Sequence, residues 1–407
     1  MFCRNCNSKI ENTFIDLGHS PPSNAYLTNI DLQKKELYFP LKIGVCKKCW
    51  LVQTKDFISA DELFTKDYAY LSSASKSWLK HCEDFVNYSI KKFNLKTSSL
   101  VIEVAANDGY LLQYYKSKNI KCLGIEPTQY AADLARSKGI EIIGEFCTLK
   151  TAKQISYDKG KADLVIGNNV YAHVPDIKDF TFSLKELIKE NGVISLEFPH
   201  LMRLIQEIQF DTIYHEHFSY LSLTTVNHIF KEAGLRIFEV QELETHGGSL
   251  RILGSMENSF HKQNPSVEKM LDEEKSFGIS NLNTYENFQE KANNIKNNLI
   301  KLLVDLKSKN KKVMAYGAAA KGNTLLNYSG IKKDLVSFVF DKAESKQGKY
   351  MPGSHIPILH PEEIINKRPD YLLILPWNIS EEIIESLSEL KDIGIKFIIA
   401  VPEVKII

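Results

Sequence analysis

Two pairs of cysteines are spaced for metal chemistry: Cys3-Arg4-Asn5-Cys6 and Cys46-Lys47-Lys48-Cys49. Thiolates separated by two residues in a tight turn can face one ion together, and two such turns complete a tetrahedral Cys₄ zinc site. Four protein ligands leave no open position for a substrate, so the expected contribution is structural, as folding energy. The stretch between Cys6 and Cys46 exceeds the usual spacing of such ribbons and must hold structure of its own. Cys82, Cys122 and Cys147 show no comparable pairing and read as ordinary thiols. A second concentration is Tyr214-His215-Glu216-His217-Phe218-Ser219-Tyr220. Imidazole, carboxylate and phenol side by side are groups that can move a proton. Read as an extended strand, the segment puts Tyr214 and Glu216 on one face and His215 and His217 on the other. A His-x-His pair can also hold a metal, although no third ligand is visible and an HExxH pattern is absent. A polar strand with locally satisfied histidines is the plainer alternative.

These groups need a frame. At 407 residues the chain suits two or three domains rather than one core. Hydrophobic residues at 43% and charged residues at 25% are the balance of a globular protein. The net charge of +1 argues against a nucleic-acid binder that relies on a broad basic face. No apolar run nears the roughly 18 residues of a bilayer span, and the opening MFCRNCNSKI lacks the apolar core of a signal peptide. Seven cysteines, odd in number, suit a reducing cytoplasm better than a disulfide framework. From Leu100 the apolar runs LVIEVA, KCLGIEP, ADLVIGNN and GVISLEFP alternate with helical periods, the pattern of a doubly wound parallel sheet. Asn264 to Lys309 reads as a long connecting helix or helical hairpin. A second α/β pattern follows in KKVMAYGAAAKGNTLLNY, DLVSFVFDK, PDYLLILPWN and IKFIIAVPEV. The expected architecture is α/β: a zinc-binding module over residues 1–70, a doubly wound domain over 71–260 and a Rossmann-like α/β domain over 261–407.

Ligands of such sheets sit at the carboxyl ends of the strands. The first turn of the central domain, Glu103-Val104-Ala105-Ala106-Asn107-Asp108-Gly109, is built of small residues and is not the three-glycine dinucleotide fingerprint. Its second strand ends in Glu126-Pro127, where a carboxylate can grip both hydroxyls of a ribose. An acidic strand end, a small-residue turn and a later acidic clamp resemble the class I S-adenosylmethionine methyltransferases. The resemblance implies a cofactor among Glu103, Ala105, Asn107, Asp108, Gly109, Glu126 and Pro127, with Asn168 and Asn169 at the fourth strand end. Any doubly wound domain can also offer a glycine turn and a strand-end Glu. His173, in the same strand-end cluster, can alternatively be a capping histidine.

The order CxxC…CxxC, EVAANDGYLL, NNVYAHVPD, YHEHFSYLS, THGGSLR and YGAAAKGNTLLNY resembles the deoxysugar C-methyltransferases over essentially the whole chain. These include the carbon-3 methyltransferases of mycarose-type branched sugars. One departure is Ala106, where the family commonly has Ser. The resemblance implies a nucleotide-linked 4-keto-deoxysugar as substrate. Its ketone acidifies the neighbouring carbon; a base removes that proton and the resulting enolate carbon takes the methyl group. His217 is the expected base, with Glu216 as its orienting partner or as the base itself, and Tyr214 as donor to the keto oxygen. By resemblance His173 and Tyr68 also face the sugar, Tyr70 being close enough in sequence to compete with Tyr68.

The C-terminal domain is expected to take the nucleotide diphosphate. Gly317, Lys321 and Asn323 lie in a small-residue loop that opens a helix, where backbone N–H groups and an ammonium meet phosphate. Asp341 ends the next strand, and Arg251 offers a bidentate phosphate contact. Against this, the Ala-rich turn can serve only packing, and Arg251 can be a surface pair. Methylation of oxygen or nitrogen on the same scaffold, a nucleic-acid reader built on the zinc knuckles and a catalytically silent nucleotide-sugar binder stay open at this level. A monomer without membrane contact is the expected state.

Overall fold

The computed structural model describes residues 1–55, 57–63 and 71–407. Tyr68 and Tyr70 lie outside them. Three antiparallel strands, β1 (Asn12–Ser20), β2 (Phe39–Val45) and β3 (Val52–Thr54), form around the cysteine knuckles. Alternating burial places Ile15, Leu17, Leu41, Ile43 and Val45 in the core.

The central sheet collects β4 (Leu100–Val104), β5 (Lys121–Ile125), β6 (Glu141–Ile143), β7 (Ala162–Asn168) and β8 (Ile188–Pro199), all parallel. A two-residue strand, β9 (Ser219–Tyr220), follows in sequence but leaves this sheet. It pairs antiparallel with β3, Val52 opposite Tyr220 and Gln53 opposite Ser219, and becomes the fourth strand of the cysteine module. The central sheet is then completed by β10 (Leu235–Leu243) and β11 (Ser249–Met256), with β11 inserted antiparallel between β8 and β10. The resulting order is β10-β11-β8-β7-β4-β5-β6. Connections leave β4 and β7 in opposite directions, so the switch point where ligands bind lies between these two strands.

The predicted helical connector is a hairpin: Pro265–Phe277, a short turn at Asn283–Glu286, then Phe288–Ser308. Its long arm lies between units. Phe288 stacks on Phe14 of β1 at 4.4 Å, with Tyr285 edge-on to the same ring at 5.5 Å. The C-terminal sheet comprises β12 (Val313–Tyr316), β13 (Val339–Phe340), β14 (Ile358–Leu359), β15 (Tyr371–Ile374), β16 (Lys396–Ile399) and β17 (Lys405–Ile406). Its order is β14-β13-β12-β15-β16-β17, parallel except for the last strand. Among the described residues no helix is long and apolar enough to cross a membrane.

One buried carboxylate braces the chain just after β9. Glu274, wholly inaccessible, accepts from His200 Nε2 at 2.7 Å, from the backbone N–H groups of Leu223 and Thr224 at 2.6 and 2.7 Å, and from the Thr224 hydroxyl. It thereby caps the helix Leu223–Glu232 and ties it to the exit of β8. Glu274→Ala strands these buried donors and should cost about 3 kcal/mol in urea unfolding.

Candidate active site

The two knuckles close alike. Asn7 N–H donates to Cys3 O and Trp50 N–H to Cys46 O, both at 2.9 Å, and each acceptor turn ends in a residue with positive φ, Asn7 at 56° and Trp50 at 60°. The four Sγ atoms lie within 4.8 Å of one another, with Cys3 to Cys49 and Cys6 to Cys46 at 3.4 Å. Zn–S bonds of about 2.3 Å in a tetrahedron ask for sulfurs about 3.8 Å apart, which this cluster fits.

At the carboxyl ends of the central strands the backbone is held in rare conformations. Ala105, Asn107 and Asn169 have φ of 56°, 47° and 53°; for Ala105 this is strain of the kind found at functional sites. Gly109 has φ 75°, and a Cβ there would lie 2.5 Å from Ile140 Cδ1 and 3.2 Å from Ala135 Cβ, so the position favours glycine. Glu126 is buried and shapes this turn: one oxygen accepts from Asn107 N at 2.9 Å, the other from Thr128 N at 2.8 Å. Pro127 follows in the same strand-to-helix link. Burial raises the carboxyl groups of Glu126 and, well above the usual range, of Glu103. Both polar atoms of the Asn168 amide are buried without a protein partner, as are Asp108 Oδ1 and Asn169 Oδ1. Unsatisfied buried polar groups converging on a switch point fit a hydrogen-bonding cofactor.

The Tyr214–His217 segment is not the expected strand. His217 N–H donates to Tyr214 O at 3.0 Å, closing a turn that places residues three apart together, so the Tyr214 and His217 rings meet at 3.9 Å. Strand geometry starts only at Ser219, where pairing with β3 begins. His217 Nδ1 lies 2.7 Å from the Thr212 carbonyl, which can only accept. Nδ1 therefore carries the proton and Nε2 keeps its lone pair. Burial first, then the neighbouring His173, holds the His217 pKa well below 6.5, and burial lowers His173 to about 4. Their rings are 4.6 Å apart. Glu216 turns toward the cysteine module, both oxygens 2.8 Å from Asn24 Nδ2.

The C-terminal loop reaches the same region. Gly317, with φ 87°, packs against Pro376. Asp341 accepts from Ala318 N at 2.7 Å and from Ala343 N at 2.7 Å, so it organises the loop it follows. Lys321 donates to Asn378 Oδ1 at 2.6 Å and lies 4.7 Å over the Trp377 ring, burial lowering its pKa to about 8. Asn323 points away from the loop and donates to the Ser23 carbonyl. The structure does not bring Arg251 here: it lies in the central sheet, donating to Glu197 at 2.7 Å. Burial alone would raise Glu197, but His81 and Arg251 hold it at about 2.

Two further residues of this region, His246 and Asp211, carried too little local signal to be singled out. His246 sits in a loop with φ 56° and accepts from Asn169 Nδ2 at 2.9 Å, with Trp78 edge-on at 5.4 Å. Asp211, wholly buried, accepts from Trp377 Nε1 at 2.7 Å across the seam between units. The motif THGGSLR contained His246, but its flanking glycines give no clue to its neighbours.

Comparison with known proteins gives three family matches: "Putative zinc binding domain" over residues 3–64, "Methyltransferase domain" over 78–240 and "C-methyltransferase C-terminal domain" over 244–402. The chain is 33% identical over 405 residues to the C-methyltransferase NovU of Streptomyces niveus, covering 100% of this chain and 96% of that one. Among solved structures, a methyltransferase from Anabaena variabilis aligns with 50% of this chain and 98% of its own, at 14% identity and a TM-score of 0.40. One from Clostridium acetobutylicum aligns with 44% and 92%, at 15% identity and a TM-score of 0.36.

The depressed imidazoles predict a spectrum. At about pH 5.5, a unit below the ordinary imidazole value, the ring nitrogens of His173 and His217 should still show neutral shifts in ¹⁵N-histidine NMR. Because the unfolded chain takes up protons below 6.5 and these two rings do not, their contribution should lower native stability as pH falls from 6.5 to about 4.

Proposed function

Because this chain belongs to the C-methyltransferase family and draws its methyl group from S-adenosylmethionine, we propose that its acceptor is the carbon beside the ketone, carbon 3, of a nucleotide-linked 4-keto-deoxysugar. The zinc module, the central cofactor domain and the C-terminal nucleotide domain, divided near residues 70 and 260, then each contribute to one site. A monomer in the cytoplasm suffices, since one chain supplies all three parts and cysteines paired as metal ligands suit a reducing compartment.

The observation that carries this reading is the Thr212–His217 hydrogen bond. It presents Nε2 of a neutral imidazole as a fixed base, with Tyr214 and His173 packed on the same ring. His217 takes the proton from the sugar carbon, and Tyr214 donates to the oxygen on which the enolate charge collects. Asn24 fixes Glu216, leaving His217 the better placed base. Burial, His173 and Lys321 together disfavour the imidazolium in the free chain. A diphosphate held by Lys321 and the Gly317 loop would cancel the ammonium's share of this field, making His217 more basic when substrate arrives. When bound among Glu103, Asn107, Asp108, Glu126 and the Asn168–Asn169 pair, S-adenosylmethionine supplies the electrophilic methyl group.

The test is NMR of nucleotide 4-keto-6-deoxy and 2,6-dideoxy sugars with the enzyme in D₂O, with and without methyl-labelled cofactor. Deuterium should enter beside the ketone and a carbon-bound methyl should follow. His217→Ala should lower both by at least about 10²-fold while cofactor affinity stays near normal. Undiminished turnover in that variant would move the base to Glu216 or His173.

A further inference from the structure

The sulfur cluster was expected to contribute folding energy alone, yet the residue inside its first knuckle reaches both histidine-bearing segments. Arg4, between Cys3 and Cys6, donates through one guanidinium nitrogen to the Pro175 carbonyl at 2.6 Å and through the other to the Thr54 carbonyl at 3.0 Å. Its guanidinium carbon lies 5.4 Å over the Phe218 ring. Pro175 is two residues past His173, and Phe218 immediately follows His217. Thr54 ends β3, and its N–H donates to the Phe218 carbonyl at 3.1 Å. The knuckle itself is tied to β3 a second time: Arg4 N–H donates to Gln53 Oε1 at 2.9 Å, and Gln53 Nε2 returns to the Phe2 carbonyl at 3.1 Å.

We propose that Arg4 is a positioning residue of the active site, clamping the His173 segment to the His217 segment from the zinc knuckle. The inference rests on the reading of those two histidines as active-site groups. The two segments are 44 residues apart in sequence, come from β7 and the approach to β9, and meet where their rings pack at 4.6 Å. A planar guanidinium suits this task because its fork can donate to two carbonyls while one face rests on an aromatic ring. Lysine offers a single ammonium point in place of the fork.

The experiment compares Arg4→Ala and Arg4→Lys with the wild-type full chain in its zinc-loaded form. Four quantities are read: zinc per chain, affinity for S-adenosylhomocysteine, the ¹⁵N-histidine ring spectrum and ketosugar turnover. Zinc content and cofactor-product affinity should stay within about twofold, while His173 and His217 ring signals shift or broaden. The kcat of Arg4→Ala should fall about 30-fold with KM little changed, since misplacement by an ångström costs on the order of 10²-fold. Arg4→Lys should recover part of this, and added ethylguanidinium should partly restore Arg4→Ala. An unchanged ring spectrum with zinc retained overturns the proposal. So does zinc loss in step with activity, which would confine Arg4 to the fold of the knuckle. The ring spectrum needs no sugar, so a misassigned base, exposed separately by His217→Ala, leaves this result readable.

Discussion

The candidate site depends on one exchange of partners: Ser219–Tyr220 follows the central sheet in sequence but hydrogen-bonds to the module built by the first 54 residues. A two-residue strand has almost no stability of its own, because its few hydrogen bonds cannot offset the entropy of fixing it. It exists where it does because β3 presents a ready edge. Fixing that strand fixes the preceding turn, and the turn fixes His217 against Thr212. The segment is then pinned from its other side, where the Thr324 hydroxyl donates to the Ile213 carbonyl at 2.8 Å from the first helix of the C-terminal sheet.

The charged and titratable groups around this point are largely buried. Three imidazoles, those of His173, His217 and His246, are all disfavoured as cations, chiefly by burial. Burial acts in the opposite sense on the acids, raising Asp211 to about 6. Burial here thus works against charge of either sign, holding imidazoles and carboxyl groups alike toward their neutral forms. Glu197 is the exception, kept ionised by Arg251 and His81, and it anchors Thr245 beside the His246 loop at 2.9 Å.

How much of this could be read from the residues varied with the range of the interaction. The cysteine cluster was legible because only two residues separate the ligands of each pair, so local spacing nearly determines geometry. The parallel sheets were legible because buried strands leave short apolar runs. The Tyr214–Tyr220 alternation suggested a strand, and its first half folds as a turn. Alternation alone does not say where pairing begins, and here the strand register against β3 begins only at Ser219. Asp211 and Trp377 are 166 residues apart, and nothing near either marks the other. Asn323 looked like part of a phosphate loop, but helical rotation turns it toward Ser23 on the cysteine module.

The shared sheet also bears on how such a chain can diversify. Segments that look like separate modules in sequence do not have separable surfaces: cutting out the central sheet would strip β9 of its partner and open a strand edge. Exchanging the front module between relatives would likewise have to preserve the register of Val52 and Gln53 against Tyr220 and Ser219. Recombination at the apparent boundaries is therefore penalised, and new acceptor preferences are more readily reached by point changes within a co-inherited whole.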